Sequence, residues 1–313
     1  MADTFTPVMG FLAGLYQAVG LTIGAATVYQ PLTNPKFDTG VITGWTDDSV
    51  ATSTAVVTAE KGFEERSYGL VLTDDGTNKA GVSQIITLDA AFDSDDALIY
   101  RLHGSCWAEF DAASDEATMK ITCLDAADGD LGNASVTMIS AHPMYDDGTG
   151  FNTWGFFSID MQIVDLTKKL KIEIYSNAGT AQVVNIDVVS LVVLEQVAGV
   201  FGPMGLPMGS EKKDVTTYAT AGTDGWRSFA PVLKREGTMT LPSFWVPAEG
   251  RGAHISEETL LYCVLWKEKG TKTSDRHEFW CVVHGIEWSA APGELQMGNV
   301  SLTASGLIGY ADR

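Results

Sequence analysis

The chain has 313 residues, with 40 acidic against 20 basic side chains for a net charge of -20, and is 45% hydrophobic and 19% charged. That length allows two domains with separate cores, and the balance of residues is ordinary for a globular protein. With 32 glycines among many Thr, Val and Asp, the chain is expected to be mostly β-strands joined by tight turns.

The charge is unevenly placed. Residues 31–196 hold 26 Asp and Glu against 9 Lys and Arg, and the remainder holds 14 against 11. Phosphates would be repelled from the acidic middle, which excludes general nucleic-acid binding there. Cys106, Cys123, Cys263 and Cys281 lie in apolar runs without CxxC or Cys/His spacing, so neither zinc nor a redox dithiol is indicated and buried free thiols are expected. Phe5 to Pro35 carries no charge, but Gly10, Gly14, Gly20, Gly24 and Gln17 break the apolar run and no Lys or Arg precedes it. Two short strands around a turn suit it better than a membrane span or signal peptide.

Those strands centre on Leu15-Tyr16 and Leu21-Thr22-Ile23. They cannot form a core alone, so they must pair with a sheet elsewhere, and the C-terminal sheet is the one that lacks a beginning. From Leu32 to Leu194 come about ten short strand candidates separated by turn clusters such as Asp74-Asp75-Gly76 and Asp146-Asp147-Gly148. They include Tyr68–Leu72, Val82–Leu88, Leu98–His103, Met119–Leu124, Trp154–Asp160 and Leu170–Tyr175, enough for a two-sheet sandwich. Gly199 to Gly209 reads as a return connection. Thr238–Leu241 follows as a strand and Pro242–Pro247 as a loop. A helix is expected after Ser256, its N-cap, with Ile255 and Leu260 as a staple, Glu257 and Glu258 in the first turn, Lys267 and Lys269 in the last, and Gly270 beyond. Glu278–Trp288 and Asn299–Ala304 read as closing strands.

Two stretches carry family resemblances. The run Asn34-Pro35-Lys36-Phe37-Asp38-Thr39-Gly40, followed by Gly44-Trp45, together with the closing strand Val183–Leu194, resembles the jelly-roll carbohydrate-binding modules and their galactose-binding-like relatives. The run Asp214-Val215-Thr216-Thr217, Gly225-Trp226-Arg227 and Pro231-Val232-Leu233-Lys234 resembles the tail tube proteins of long-tailed bacteriophages, with the lambda-type tube as the nearest comparison. Together they imply a mainly β protein: a tail-tube β-sandwich or barrel with one flanking α-helix, formed by residues 1–30 and 197–313, and an inserted jelly-roll β-sandwich at residues 31–196.

The tail-tube resemblance implies a virion structural protein that forms rings, of hexameric symmetry in that family, stacked into a DNA conduit beside other tail proteins. It would be assembled in the host cytoplasm and located in the virion tail, with genomic DNA passing through unbound. In that frame Asp214, Val215, Thr216, Thr217 and Tyr218 form one limb of an assembly arm. Trp226, Phe229 and Leu233 serve as apolar anchors, and Arg227, Lys234 and Arg235 as charges for a neighbouring copy. The competing reading is intramolecular: a hairpin whose Trp226 plugs its own barrel.

The jelly-roll resemblance implies an alternative function, that of a glycan-binding protein: either a virion adhesion protein for host surface glycans or an accessory carbohydrate-binding module. Trp107 shares a strand face with Ser105 and Glu109, and Trp154 with Ser158 and Asp160, so both are candidate sugar platforms, although core packing is the commoner fate of such rings. It also points to Asp38 and Asp187 as candidates for a structural calcium, against the plainer alternative of a turn cap and a backbone acceptor. No cofactor is required. No catalytic constellation is legible either: His103, His142, His254, His277 and His284 are scattered, there is no HExxH or GxSxG, and Asp95-Asp96 and Asp128/Asp130 read as turn caps.

Overall fold

The computed structural model describes residues 13–63, 68–94, 100–112, 115–139, 145–146, 153–177, 179–200, 209–214, 229–235, 238–245, 260–266, 276–289 and 297–311. The first segment forms β1 (Ala13–Ala18), β2 (Leu21–Ile23) and β3 (Ala26–Val28). The acidic middle gives β4 (Thr46–Asp47), β5 (Thr54–Ala59), β6 (Tyr68–Thr73), β7 (Gly81–Thr87), β8 (Tyr100–Phe110), β9 (Glu116–Leu124), β10 (Asp130–Ile139), β11 (Tyr145–Asp146), β12 (Thr153–Gln162) and β13 (Lys169–Ser176). The long β14 (Val183–Val200) leads to β15 (Gly209–Asp214), β16 (Phe229–Arg235), β17 (Thr238–Trp245), β18 (Leu260–Trp266), β19 (Arg276–Ser289) and β20 (Met297–Ala311).

The middle region is a β-sandwich of jelly-roll type. One sheet runs β10-β9-β13-β7-β4, and the other places β5, β6, β14, β8, β12 and β11 side by side. Alternation dictates the faces: in β13, Leu170, Ile172 and Ile174 are fully buried while Lys169, Lys171 and Glu173 point outward. The inward residues meet Leu70, Leu72, Leu102, Met119, Ile121 and Ile186 in one core. The motif that opens this region is structural. Phe37 has no exposed surface and packs on Trp45 with ring centroids 5.6 Å apart, while the Trp45 indole N–H donates to the Asn34 carbonyl at 3.3 Å. Gly44 sits at φ +88°, where an added Cβ would lie 2.7 Å from the Thr33 side chain, so no other residue fits that turn.

The first and last segments meet in a second body. β1 pairs with β18, β18 with β19, β19 with β20, β20 with β17, β17 with β14, and β14 with β1, all antiparallel. These six pairings close a ring. Leu15, Leu261, Cys263, Phe279, Cys281, Val283 and Leu302, which the register places on one face, are buried. Cys263 and Cys281 are free thiols in contact there, and burial holds the Cys263 thiol well above its ordinary pKa.

Two expectations are corrected. The flanking helix is absent where it was centred: Leu260–Trp266 is strand β18. Its alternate residues are buried on both faces, Leu261, Cys263 and Leu265 on one side and Tyr262 and Val264 on the other. A strand covered twice reads as an unbroken apolar run, which periodicity cannot tell from a buried helix. The proposed cap Ser256 and the final turn at Lys267 and Lys269 lie outside the described residues. Each of the six strands has two partners, although β17 meets β14 only at Phe244 and Trp245 and β19 meets β18 only as far as Val282. The expected loop at Pro242 is also part of β17, where the pairing with β20 shifts register between Leu241 and Phe244, as a residue without an N–H requires.

Phe37→Ala should lower the unfolding free energy by about 3–5 kcal/mol, the usual loss on truncating a buried Phe. Urea titration followed by tryptophan fluorescence would check it, and a midpoint within error of the parent would show that this turn is not part of the core.

Candidate functional site

The face of β8, β12 and β14 turned away from the sandwich core is unusually aromatic and polar. By register Trp107 stands beside Phe156 on one side and Asp187 on the other, Ser105 beside Ser158 and Ser190, and Glu109 beside Asn185. Phe63, Trp107, Trp154 and Phe156 form a separate aromatic cluster with Val188 against it. The two candidate platforms therefore do face away from the core, yet they are only 4% (Trp107) and 5% (Trp154) exposed. Phe63 covers them. Its ring lies 4.3 Å from Trp107, tilted by 34°, and meets Trp154 edge-on at 5.6 Å.

Polar groups border these rings. The Asn185 amide donates to Glu109 Oε2 at 2.6 Å, both residues are buried, and Asn185 Oδ1 has no hydrogen-bond partner among the described residues. Asp187 lies at a bulge in β14, where Val188 takes φ +49°, a strained conformation for a β-branched residue. Its carboxylate accepts from the backbone N–H of Phe63 at 2.8 Å and of Val188 at 2.7 Å. Burial pushes its pKa up from 3.8 to about 6, with the Asp38 charge adding to the rise and the two N–H donors and Lys36 opposing it.

Asp38 and Asp187 thus lie near enough to feel one another, but they fit a calcium site poorly. Both Asp187 oxygens already accept backbone donors, Asp38 is exposed, and no group of three or more His, Cys, Asp or Glu suited to a metal occurs among the described residues. Calcium takes six to eight oxygen ligands.

The lower half of the same face is covered by the ring. Glu278 of β19 is 1% exposed and accepts from Ser158 Oγ at 2.7 Å and from Tyr262 Oη of β18 at 2.5 Å. His103 Nε2 lies 3.1 Å from Tyr262 Oη and 3.4 Å from Glu278 Oε2. Since Tyr262 spends its one proton on Glu278, its oxygen accepts from His103 Nε2–H. Tyr16, Val192, Leu194 and Val264 supply the apolar rim, with Trp280 against it. Further along, Arg101 pairs with Asp160.

The assembly arm is described only in its strands. β15 and β16 pair with each other from Asp214 opposite Phe229 to Gly209 opposite Arg235, so Leu233 and Lys234 stand on β16 opposite Glu211 and Ser210. Val215, Thr216, Thr217, Tyr218, Trp226 and Arg227 lie outside the described residues. Elsewhere, the Asp125 carboxylate caps its turn through the N–H groups of Ala127 and Gly129, with Asp128 paired to Lys169.

Glu109 and the facing of both tryptophans are visible in strand alternation. Phe156 and Asn185 become neighbours of Trp107 and Glu109 only through strand pairing. Phe63 lies on a turn with no periodic signal, Tyr262 was hidden by the helical reading of β18, and Glu278 on β19 meets it only through the pairing of those two strands.

No protein-family model and no curated protein matches the chain. It is similar in part to several solved structures. The enzymatically active domain of tailspike protein 4 of bacteriophage CBA120 matches 53% of this chain at 15% identity and a TM-score of 0.40. This chain spans only 21% of that one. TmCBM61 in complex with beta-1,4-galactotriose matches 52% of this chain and 98% of its own at 16% identity and a TM-score of 0.36. The CBM22-1 xylan-binding domain of Paenibacillus barcinonensis Xyn10C matches 57% and 97%, at 14% identity and 0.37.

Two outcomes follow. Glu278→Ala should cost about 3 kcal/mol or more, because two buried hydroxyls lose their shared acceptor and a buried imidazole loses its facing carboxylate, and Tyr262→Phe about 1 kcal/mol. Chemical denaturation of both variants checks the order. For Asp187, the folded chain retains a proton between about pH 4 and 6 that the unfolded chain has released, so its contribution to stability falls as pH rises through that window and levels off above it. Asp187→Asn should flatten that slope in urea midpoints taken at about pH 4, 5, 6 and 7; a parallel slope would place the titration elsewhere.

Proposed function

We propose that the chain is a non-enzymatic glycan-binding protein whose site is the aromatic face of the sandwich. The observation that carries this is the orphan acceptor Asn185 Oδ1, buried beside the Glu109 carboxylate on the face that also carries Trp107 and Phe156. Sugars present an apolar ring face that stacks on indole and a rim of hydroxyls that donate to amide and carboxylate oxygens. A buried acceptor without a donor is a standing cost that a sugar hydroxyl would remove. Asp187 adds a second carboxylate at the same edge.

A second function, as a subunit of a phage tail tube, draws support from two observations. The opening strand β1 is held between β14 and β18, so both ends of the chain share one body. The hairpin β15–β16 pairs with no other described strand, which leaves two strand edges for a neighbouring copy. The readings are compatible, since a subunit assembled through the hairpin can carry the sandwich as its outward, host-facing part.

A printed glycan array tests the first reading. At least one sugar class should bind the parent chain, and Asn185→Ala should weaken that binding about tenfold without loss of folding, as expected for one buried hydrogen bond. An array silent both for the folded parent and for a variant in which Phe63 is cut back to Ala would sink it. Electron microscopy and light scattering test the second: rings or tubes are expected from the parent, and monomers when residues 209–235 are replaced by a short Gly-Ser linker. Strictly monomeric parent protein at high concentration would dismiss it.

A further inference from the structure

We propose that the phenyl ring of Phe63 holds the place of a single sugar ring, so that the site takes the terminus of a glycan and not an internal stretch of one. This rests on the glycan-binding reading above and makes it specific. Phe63 touches both Trp107 and Trp154, approaching the first indole at a tilt of 34° and the second edge-on. A pyranose is close to a phenyl ring in size and stacks on indole in the same manner.

The polar surroundings suit the exchange. The Phe63 N–H occupies Asp187 Oδ2, and a sugar hydroxyl arriving in its place would donate to the same oxygen. Asn185 Oδ1, which no group among the described residues satisfies, would gain a second hydroxyl. Phe63 follows a turn in which Glu60 has a left-handed φ of 62°, and that hydrogen bond and its ring contacts are among the interactions that hold it.

The restriction to a terminus comes from the other body. On β8, Ser105 and His103 continue the row that starts at Trp107, and on β12 Ser158 continues the row from Phe156. A linear polysaccharide lying along the face would have to pass over them. That path is filled: Tyr262 and Glu278 hydrogen-bond His103 and Ser158 directly, and His103 is 3% exposed. A chain of sugars therefore cannot continue from this site along the face toward the ring.

The test uses Phe63→Ala and, in case that variant unfolds, Phe63→Leu, in the full-length chain. Acrylamide quenching of tryptophan emission should increase severalfold in the variant, and the gain should vanish when Trp107→Phe is added. On arrays of single sugars with short linkers, of oligosaccharides and of end-free cyclic glucans, terminal sugars should bind the variant tenfold or more tightly than the parent, which must first expel its own ring. Cyclic glucans should bind neither. Unchanged quenching would overturn the place-holder role. Equal sugar affinity of parent and variant would overturn it too while leaving glycan binding intact, and tight binding of cyclic glucans would overturn the restriction to termini. Silence of both proteins on every array would remove the glycan-binding reading itself, and this inference with it.

Discussion

One strand constrains everything else. β14 runs unbroken from Val183 to Val200, with its first part laddered to β6 and β8 in the sandwich and its last part to β1 and β17 in the closed ring. A strand cannot bend freely between two ladders without breaking hydrogen bonds that each cost free energy to leave unmade. The two bodies are therefore fixed relative to each other by backbone, and the contacts between them follow from that placement. The Tyr262, Glu278, His103 and Ser158 network is one of those contacts.

Two buried carboxylates illustrate opposite solutions to the same problem. Glu278 accepts two hydroxyl protons and faces an imidazole, so its desolvation is offset by neighbours from both bodies. Asp187 has two backbone N–H donors and a neighbouring negative charge, and its proton is correspondingly harder to remove. The first looks built for cohesion. The second, with a strained Val188 next to it and an unmatched amide oxygen two residues before it, has the marks of a place where stability is yielded to recognition.

The sandwich was legible because its strands alternate. Leu170, Ile172 and Ile174 against Lys169, Lys171 and Glu173 leave one assignment open, and the buried Phe37 and Trp45 were already conspicuous in the opening motif. β18 was not legible. Seven successive apolar residues with acidic groups before and lysines after look the same whether the run is a capped helix or a strand covered on both sides, and only tertiary pairing decides. The outward facing of Trp107 and Trp154 could be read from strand period, but not that a phenylalanine from a turn would cover them. Such a contact has no signature along the chain, since Phe63 and Trp107 come together only when the sheet has formed.

Ring closure also sets a schedule. Tyr16 lies opposite Tyr262, so the pairing of β1 with β18 must wait until Tyr262 has left the ribosome, whereas most sandwich strands find partners far nearer in sequence. During synthesis β1 can settle only against the end of β14, leaving its other edge bare until β18 emerges. The nascent chain therefore passes through a stage in which a finished sandwich carries an open, adhesive rim, and crowding of many ribosomes on one message would make that interval the main opportunity for misassociation.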